Sequence, residues 1–117
     1  FKRVRYAEAR TTVSAIENAM REHWGRLDRY PPSGGHNPPN ATSFFPAEMD
    51  ATVVGWSALS YKPDGSYRYR YSWETDPTGK TVTITAIANT DNDESVGTLI
   101  RVINNGYREG EDTEVAD

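Results

Sequence analysis

Apolar residues in the first quarter of the chain recur at the spacing of an α-helix. Intervals of three and four positions place them on one face of a helix with 3.6 residues per turn. Pro31 and Pro32 follow, and proline ends a helix because it lacks an amide donor and restricts the residue before it. The pattern predicts a helix over residues 1–29 with one apolar face. The residues of that face, which we expect to pack in the core or in an assembly, are Tyr6, Ala9, Val13, Ile16, Met20, Trp24 and Leu27.

The start of this helix lacks the usual N-terminal signals. Helices tend to begin with a Ser, Thr, Asp or Asn cap and with acidic residues in the first turn, whereas this chain opens with Lys2, Arg3 and Arg5. Either the first turn frays or the helix continues upstream in a longer protein. We expect the second, a helix truncated at Phe1.

The next stretch, residues 30–51, is dominated by turn formers. It holds five prolines and the pair Gly34-Gly35, which predicts a long irregular connection between the helix and the first strand. Long loops in compact domains often carry function. Phe44 and Phe45 either pin this connection to the core or belong to a candidate binding surface.

Four later segments have strand composition, and turn residues separate them. They are residues 52–61, 67–73, 81–88 and 98–103. Short connections favour antiparallel pairing, so residues 52–104 are predicted to form an antiparallel meander. A sheet of three or four strands exposes one apolar face, which the helix can cover. The predicted fold class is α+β, a long N-terminal amphipathic helix packed on this sheet in a single domain of residues 1–117.

Charge is distributed unevenly along the 117 residues. The net charge is -4, yet residues 1–30 hold seven basic and four acidic residues, which leaves -7 for the rest. Residues 105–117 are predicted to form a solvated, partly disordered acidic tail. The acidic balance disfavours a general binder of phosphate backbones. The sequence has no cysteine and no apolar run of the roughly 18–20 residues that cross a bilayer.

The sequence carries no catalytic signature. His23 and His36 are its only histidines, and neither has the spacing of a hydrolytic triad or a zinc site. His23, beside Trp24, is expected to have a structural role on the helix. Ser57 lacks the second glycine of a nucleophile elbow and lies in a predicted strand. We therefore expect that the protein is not an enzyme and that it uses no cofactor.

The segment from Tyr67 to Trp73 alternates aromatic residues with Arg68, Arg70 and Ser72. Strand alternation puts the aromatic row on one face and the arginines on the other. The favoured interpretation is a row facing the core with arginines facing solvent. The alternative is an exposed stacking surface for single-stranded DNA or a glycan, formed with Arg68, Arg70, Phe44 and Phe45.

An acidic turn follows the third predicted strand. Asp91, Asp93 and Glu94 could supply oxygen ligands to calcium, but the run lacks the glycine and the distal glutamate of an EF-hand loop. Ordinary turn chemistry is the favoured interpretation, and these residues are retained only as candidate calcium ligands.

The order of the segments matches a known pattern. The helix has a middle rich in small residues and ends in Tyr30-Pro31-Pro32, and Gly55-Trp56-Ser57-Ala58-Leu59 and the aromatic strand follow it. Residues 82–93 and 98–103 then supply two strands with an acidic turn between them. Together these features resemble the globular part of a bacterial type IV pilin or pilin-like protein. Two family features do not occur in this sequence: the apolar N-terminal segment and the cysteine pair that closes the C-terminal loop in many pilins.

The resemblance implies a structural role. A pilin is a filament subunit outside the cell, held in the inner membrane before assembly through its apolar N-terminal segment. Its partners are other pilin subunits, in a homopolymer or a mixed filament, and the pilus assembly machinery; such filaments serve adhesion, motility or uptake. The alternatives are a pseudopilin of a type II secretion system and a ligand-binding minor pilin, for which nucleic acid is a disfavoured but possible partner.

Overall fold

The computed structural model describes residues 6–37, 47–48, 53, 55–56, 59, 66–67, 69–89, 96–104, 107–108, 110 and 112–115. These residues form one helix, α1 (Tyr6–Leu27), and eight strands. The strands are β1 (Gly34–Asn37), β2 (Ala47–Glu48), β3 (Ser66–Tyr67), β4 (Arg70–Thr75), β5 (Thr81–Asn89), β6 (Val96–Asn104), β7 (Tyr107–Arg108) and β8 (Thr113–Val115).

Within the described residues, the main sheet is antiparallel and five strands wide. Its order is β1-β4-β5-β6, and the short strands β7 and β8 both pair with the outer edge of β6. Strands β2 and β3 pair separately as a two-stranded ribbon. The predicted α+β class is confirmed, with a wider sheet than the three or four strands expected.

The helix ends where its local chemistry requires. Asp28 adopts φ 58, the left-handed conformation that commonly ends helices, and its amide donates to the carbonyl of Trp24 at 2.8 Å. Lys80, in the β4–β5 turn, donates from Nζ to the carbonyl of Asp28 at 2.9 Å and lies 5.1 Å from the centre of the Trp24 ring. The β4–β5 turn is therefore joined to the end of α1. Within the described residues, no helix is both long and apolar enough to cross a membrane.

The core lies between α1 and the inner face of the sheet. Strand alternation directs Val82, Ile84 and Ala86 of β5 toward the helix, and all three are fully buried. Leu99 and Ile103 of β6 lie on the same face and are also fully buried. Burial of a Val, Leu or Ile side chain contributes about 1.5–3 kcal/mol, so this layer stabilises the packing of the helix on the sheet.

The prediction of a first strand over residues 52–61 is wrong for the residues of that range that the structure describes. Gly55 has φ 87, a left-handed conformation that suits glycine, and Trp56 and Leu59 lie in turns. The amides of Trp56 and Leu59 donate to the carbonyls of Val53 and Trp56, each at 3.1 Å. Ser57 lies outside the described residues.

The boundaries of three other predictions also change. Residues 30–51 were predicted to form an irregular connection, but part of this segment is strand β1, which pairs with β4. The aromatic segment 67–73 is divided between β3 and β4, which belong to different sheets. The C-terminal stretch 105–117, predicted as a solvated tail, contributes β7 and β8 to the main sheet.

Candidate functional site

The predicted apolar face of α1 is buried along most of its length. Ala9, Val13, Ile16 and Met20 are fully buried, and Trp24 packs at the margin of the core. Leu27 departs from the prediction: it is 50% exposed, because the helix ends there and the chain turns away at Asp28. The Tyr6 side chain lies outside the described part of the structure.

Within the aromatic row, the described side chains at positions 69, 71 and 73 face the core, as the favoured interpretation expected. Tyr69, Tyr71 and Trp73 are each at most 4% exposed. Trp73 donates from its indole to the carbonyl of Pro32 at 2.8 Å, and its ring packs edge-on against Trp56 with centroids 4.8 Å apart. A stacking surface needs an exposed row, so these three aromatics do not form one.

Most of the other candidate residues lie outside the described part of the chain. They are Phe44, Phe45, Arg68, Asp91, Asp93 and Glu94. Arg70 is described: it is half-buried on the outer face of the sheet, across from Ile87. No group of three or more potential metal-ligating side chains occurs among the described residues. His23 is buried and donates from Nδ1 to the carbonyl of Arg29 at 2.7 Å, which agrees with a structural role.

A cluster of charged side chains lies between α1 and the C-terminal side of the sheet. Its centre is Arg101 of β6, which is 3% exposed. The Arg101 guanidinium donates to both carboxylate oxygens of Asp112, from Nε at 2.7 Å and from Nη2 at 2.6 Å. Its Nη1 donates to Oε1 of Glu17 at 2.8 Å and to the hydroxyl of Ser14 at 2.9 Å. A single side chain thus connects α1, β6 and the residue that precedes β8.

Two further arginines approach Glu17 from the surface. Arg108 of β7 donates from Nη2 to Oε1 at 3.0 Å, and Nη2 of Arg21 lies 2.7 Å from Oε2. Glu17 itself is 2% exposed, and a buried carboxylate is stable as an anion only when it is paired and hydrogen-bonded. We name Glu17, Arg21, Arg101, Arg108 and Asp112 the ion cluster.

The arrangement perturbs the acid–base equilibria of two members of the ion cluster. Hydrogen bonds from Arg101 lower the pKa of Asp112 below its usual value, and the positive charges of Arg101, Arg108 and Arg10 act in the same direction against the effect of burial. The hydrogen bonds to Asp112 in turn raise the pKa of Arg101. Both groups are therefore charged at neutral pH.

The sequence contained a signal for this cluster. Arg101 stands between Leu99 and Ile103, at the alternate positions of a strand that point inward. Glu17 and Arg21 are four positions apart on the helix, a spacing typical of ion pairs on a helix surface. The pair exists, but Glu17 is buried, because it lies next to Ile16 on the edge of the packed face.

The outer face of the sheet carries a second feature, an open groove of about 500 Å³ between β1 and strands β4 and β5. Hydroxyl groups, a carboxylate and an imidazole line it together with two glycines and a tryptophan. The lining residues are Ser33, Gly34, Gly35, His36, Ser72, Trp73, Glu74, Thr83 and Thr85.

Comparisons with protein-family models, curated proteins and solved structures give no significant match to this chain. The class of protein is therefore defined by the fold itself, an α+β domain with an N-terminal helix packed on a five-stranded antiparallel sheet. Its shape is pilin-like.

Proposed function

We propose that this chain is a structural subunit of an extracellular type IV pilus, a major or minor pilin that assembles through helix α1. The support is the fold, in which one N-terminal helix packs on the main antiparallel sheet, together with the resemblance of the sequence. A filament subunit of this kind uses no cofactor and has no substrate.

One observation carries the proposal: α1 buries one face against the sheet and leaves the opposite face exposed. The exposed positions are Arg10, Thr11, Asn18, Arg21, Glu22, Gly25 and Arg26. This polar face gives a neighbouring subunit a regular surface on which to pack, and the distribution of its charges can set orientation and register.

The proposal implies partners and a location. Other pilin subunits and the assembly machinery are the partners, the filament outside the cell is the final location, and the inner membrane holds the subunit before assembly. It also implies about 20 apolar residues encoded directly upstream of Phe1. A polar sequence or a cleavable signal peptide at that place in the gene contradicts the proposal.

The decisive experiment expresses the full-length gene in its host and labels cells with antibodies against this domain. Surface filaments that bind the antibody are the expected result in immunoelectron microscopy. Asn18→Trp places a bulky ring on the exposed face of α1 and should abolish filaments without lowering the melting temperature of the domain. Glu74→Trp, an exposed position on the sheet, is the matched control and should leave filaments intact.

Two alternatives remain as hypotheses. A pseudopilin with calcium at Asp91, Asp93 and Glu94 should gain thermal stability on calcium titration, because a ligand that binds only the folded state raises the melting temperature. The outer groove favours a ligand-binding minor pilin. The described lining residues include the carboxylate of Glu74 but no lysine or arginine, so the groove suits a neutral glycan better than single-stranded DNA. Loss of glycan-induced NMR shifts in Glu74→Gln would test this function.

A further inference from the structure

The side of the main sheet that points away from α1 is an open surface, which we name the outer face. On β5 and β6 it carries threonines and aliphatic side chains that are partly exposed, whereas the inward-pointing Val82, Ile84 and Leu99 are fully buried. The described outward positions of the two strands are Thr81, Thr83, Thr85, Ile87, Thr98, Ile100, Val102 and Asn104.

These outward positions of β5 and β6 carry no formal charge. Charged residues make up 26% of the chain, so the strip lacks a residue class that is common elsewhere in the sequence. Depletion of charged residues is what distinguishes the core of a protein interface from the rest of a protein surface. The strip therefore has the composition of a contact surface.

Strand β4 lies beside this strip and adds two opposite charges to the outer face. Arg70 pairs with Ile87 and Glu74 with Thr83, so the two charges lie on either side of Ser72. Four residues of strand separate them, about 13 Å at 3.3 Å per residue. The outward positions of β4, β5 and β6 hold no other charge, and Arg68 and the acidic residues 91–94 lie outside the described part of the chain.

Neither of these charges is compensated within the described part of the chain. The side chains of Arg70 and Glu74 make no hydrogen bond or ion pair with any described residue. Glu74 is exposed, but Arg70 is half-buried, and its Nε is buried without a hydrogen-bond partner. Buried polar groups are almost always paired, because an unpaired one costs free energy. A carboxylate from outside the chain would compensate Arg70.

We propose that the outer face packs against the outer face of a second copy of this chain, with Arg70 of each copy paired to Glu74 of the other. The face is complementary to itself, because its two charges have opposite sign and lie at equal distances from Ser72. A two-fold contact requires this self-complementarity, since the same patch serves both subunits. Like charges brought together across an interface would instead oppose the contact.

The register of the strands places the two-fold axis. Ser72, Thr85 and Ile100 lie on one line across β4, β5 and β6. An axis along this line reverses the strands of the second copy and sets Arg70 opposite its Glu74. Stacked sheets lie about 10 Å apart, a gap that arginine and glutamate side chains together can span. The usual angle of about 30° between packed sheets displaces each charge by only about 3 Å from direct opposition.

The size of the outer face predicts a weak contact. Five strands at a spacing of about 4.8 Å, each about 20 Å long, cover about 480 Å² per copy. The two copies together would bury about 1,000 Å², which is the range of transient interfaces. We therefore expect a reversible dimer that is populated only at high concentration.

A charge swap in the intact 117-residue chain tests the proposal. Analytical ultracentrifugation between about 10 µM and 1 mM should show a dimer whose population rises with concentration. Arg70→Glu and Glu74→Arg should each weaken it about tenfold, because like charges then meet twice. The double variant Arg70→Glu with Glu74→Arg restores both pairs and should recover the parent affinity to within about threefold. A swap that does not restore the dimer overturns the proposal.

Matched controls and a map of the contact make the test specific. Arg26→Glu and Glu22→Arg change the net charge by the same amounts on the exposed side of α1 and should leave the dimer unchanged. Amide NMR signals of Thr85 and Ile100 should shift with concentration. Shifts confined to α1, or a chain that stays monomeric at 1 mM, overturn the proposal, and a monomer leaves the groove on this face free for a glycan. Melting temperatures verify that each variant is folded.

This inference goes beyond the filament function and does not depend on it. A two-fold contact closes on two copies and does not propagate, so it cannot build a filament. Arg70→Glu should abolish the dimer and leave filaments of the full-length protein intact, whereas Asn18→Trp on α1 should do the reverse. Filaments without a dimer overturn the pairing of outer faces alone. A dimer without filaments supports the pairing and contradicts the filament function.

Discussion

The two sides of the helix–sheet interface are stabilised by different physics. On the side of β1 and β4, Trp56 and Trp73 pack against each other and donate their indole N–H groups to the carbonyls of Gly35 and Pro32. On the side of β6 and the C-terminal strands, the ion cluster connects Glu17, Arg101 and Asp112. We name the first the tryptophan side. It attaches the segment after the helix, and the ion cluster attaches the C-terminal segment.

The difference predicts how each side responds to a change in conditions or sequence. Apolar burial and hydrogen bonds to backbone carbonyls do not depend on an ionisable group, so the tryptophan side should be insensitive to pH. A buried charge network is costly when one member is lost, because the remaining charges stay buried without compensation. The tryptophan side should instead be sensitive to added volume, because its rings are closely packed.

The largest effect is expected at Arg101. Arg101→Met should lower the free energy of unfolding by about 3–5 kcal/mol, because it leaves the carboxylate of Glu17 buried without its deepest partner. Urea unfolding followed by circular dichroism measures this change. Arg26→Met, at an exposed helix position, is the control and should stay within about 0.5 kcal/mol of the parent chain.

A double variant shows whether uncompensated charge is the cause. Glu17→Leu combined with Arg101→Met removes both buried charges, and replacing a buried ion pair with apolar residues is often neutral. The double variant should therefore be more stable than Arg101→Met alone. A double variant that is less stable than Arg101→Met would contradict uncompensated charge as the cause. It would indicate that packing around the aliphatic part of Arg101 matters instead.

The second prediction concerns the tryptophan side. A Cβ atom at Gly34 would lie 2.7 Å from two carbons of the Trp73 ring, and that ring is held by its bond to Pro32 and by Trp56. Gly34→Ala should therefore cost about 1–3 kcal/mol, the usual penalty of overpacking, and should alter tryptophan fluorescence. The neighbouring Gly35→Ala is the matched control. Its Cβ would contact only Val53, at 3.3 Å, and a smaller loss is expected.

The sequence predicted the elements that depend on periodic burial. The helix and strands β5 and β6 follow from alternating or helical apolar spacing, which burial against one core imposes. Strand β1 was missed because Gly34-Gly35-His36-Asn37 has no strand composition; it forms because Trp73 packs over Gly34. Within residues 52–61, the described positions 53, 55, 56 and 59 were misassigned, because apolar content alone does not distinguish a strand from turns made possible by the positive φ of Gly55.

The candidate site was less predictable than the fold. The i,i+4 spacing of Glu17 and Arg21 is visible in the sequence, but the burial of Glu17 depends on Arg101 and Arg108, which lie more than 80 positions from it. Asp112 belonged to a stretch whose composition predicts a solvated tail. Its position depends on the pairing of β8 with β6, and local sequence carries no information about that tertiary contact.

The third prediction tests the pH dependence of the ion cluster. The pKa of Asp112 is lowered in the folded chain by Arg101, so the folded state binds this proton less tightly than the unfolded state does. Its stabilising effect is complete above the unfolded pKa of about 3.9 and is lost as the pH falls through the lower folded pKa. Asp112→Asn should cost about 1–2 kcal/mol at neutral pH.

The difference in unfolding free energy between Asp112→Asn and the parent chain should depend on pH. The two unfolding free energies should begin to converge below about pH 4, where the unfolded chain takes up this proton, and should converge fully only as the pH falls through the lower pKa of Asp112 in the folded parent chain. Gly34→Ala is the reference from the tryptophan side, and its difference from the parent should stay constant across the same range. A constant difference for Asp112→Asn would show that its charge is not what stabilises this side.

The smallest effect is expected at Gly25, and it has the opposite sign. Gly25 lies in the last turns of α1, on the exposed face, and a Cβ built there has no neighbouring atom within 4 Å. Alanine restricts the unfolded chain more than glycine does and favours the helix, so Gly25→Ala should raise the free energy of unfolding by about 0.5–1 kcal/mol. The gain should be equal at pH 7 and pH 4, because no charge takes part. A loss of stability in urea unfolding would contradict the exposed position of this turn. The effects of Gly25→Ala and Arg101→Met on the free energy of unfolding should add in the double variant, because the two sites share no partner.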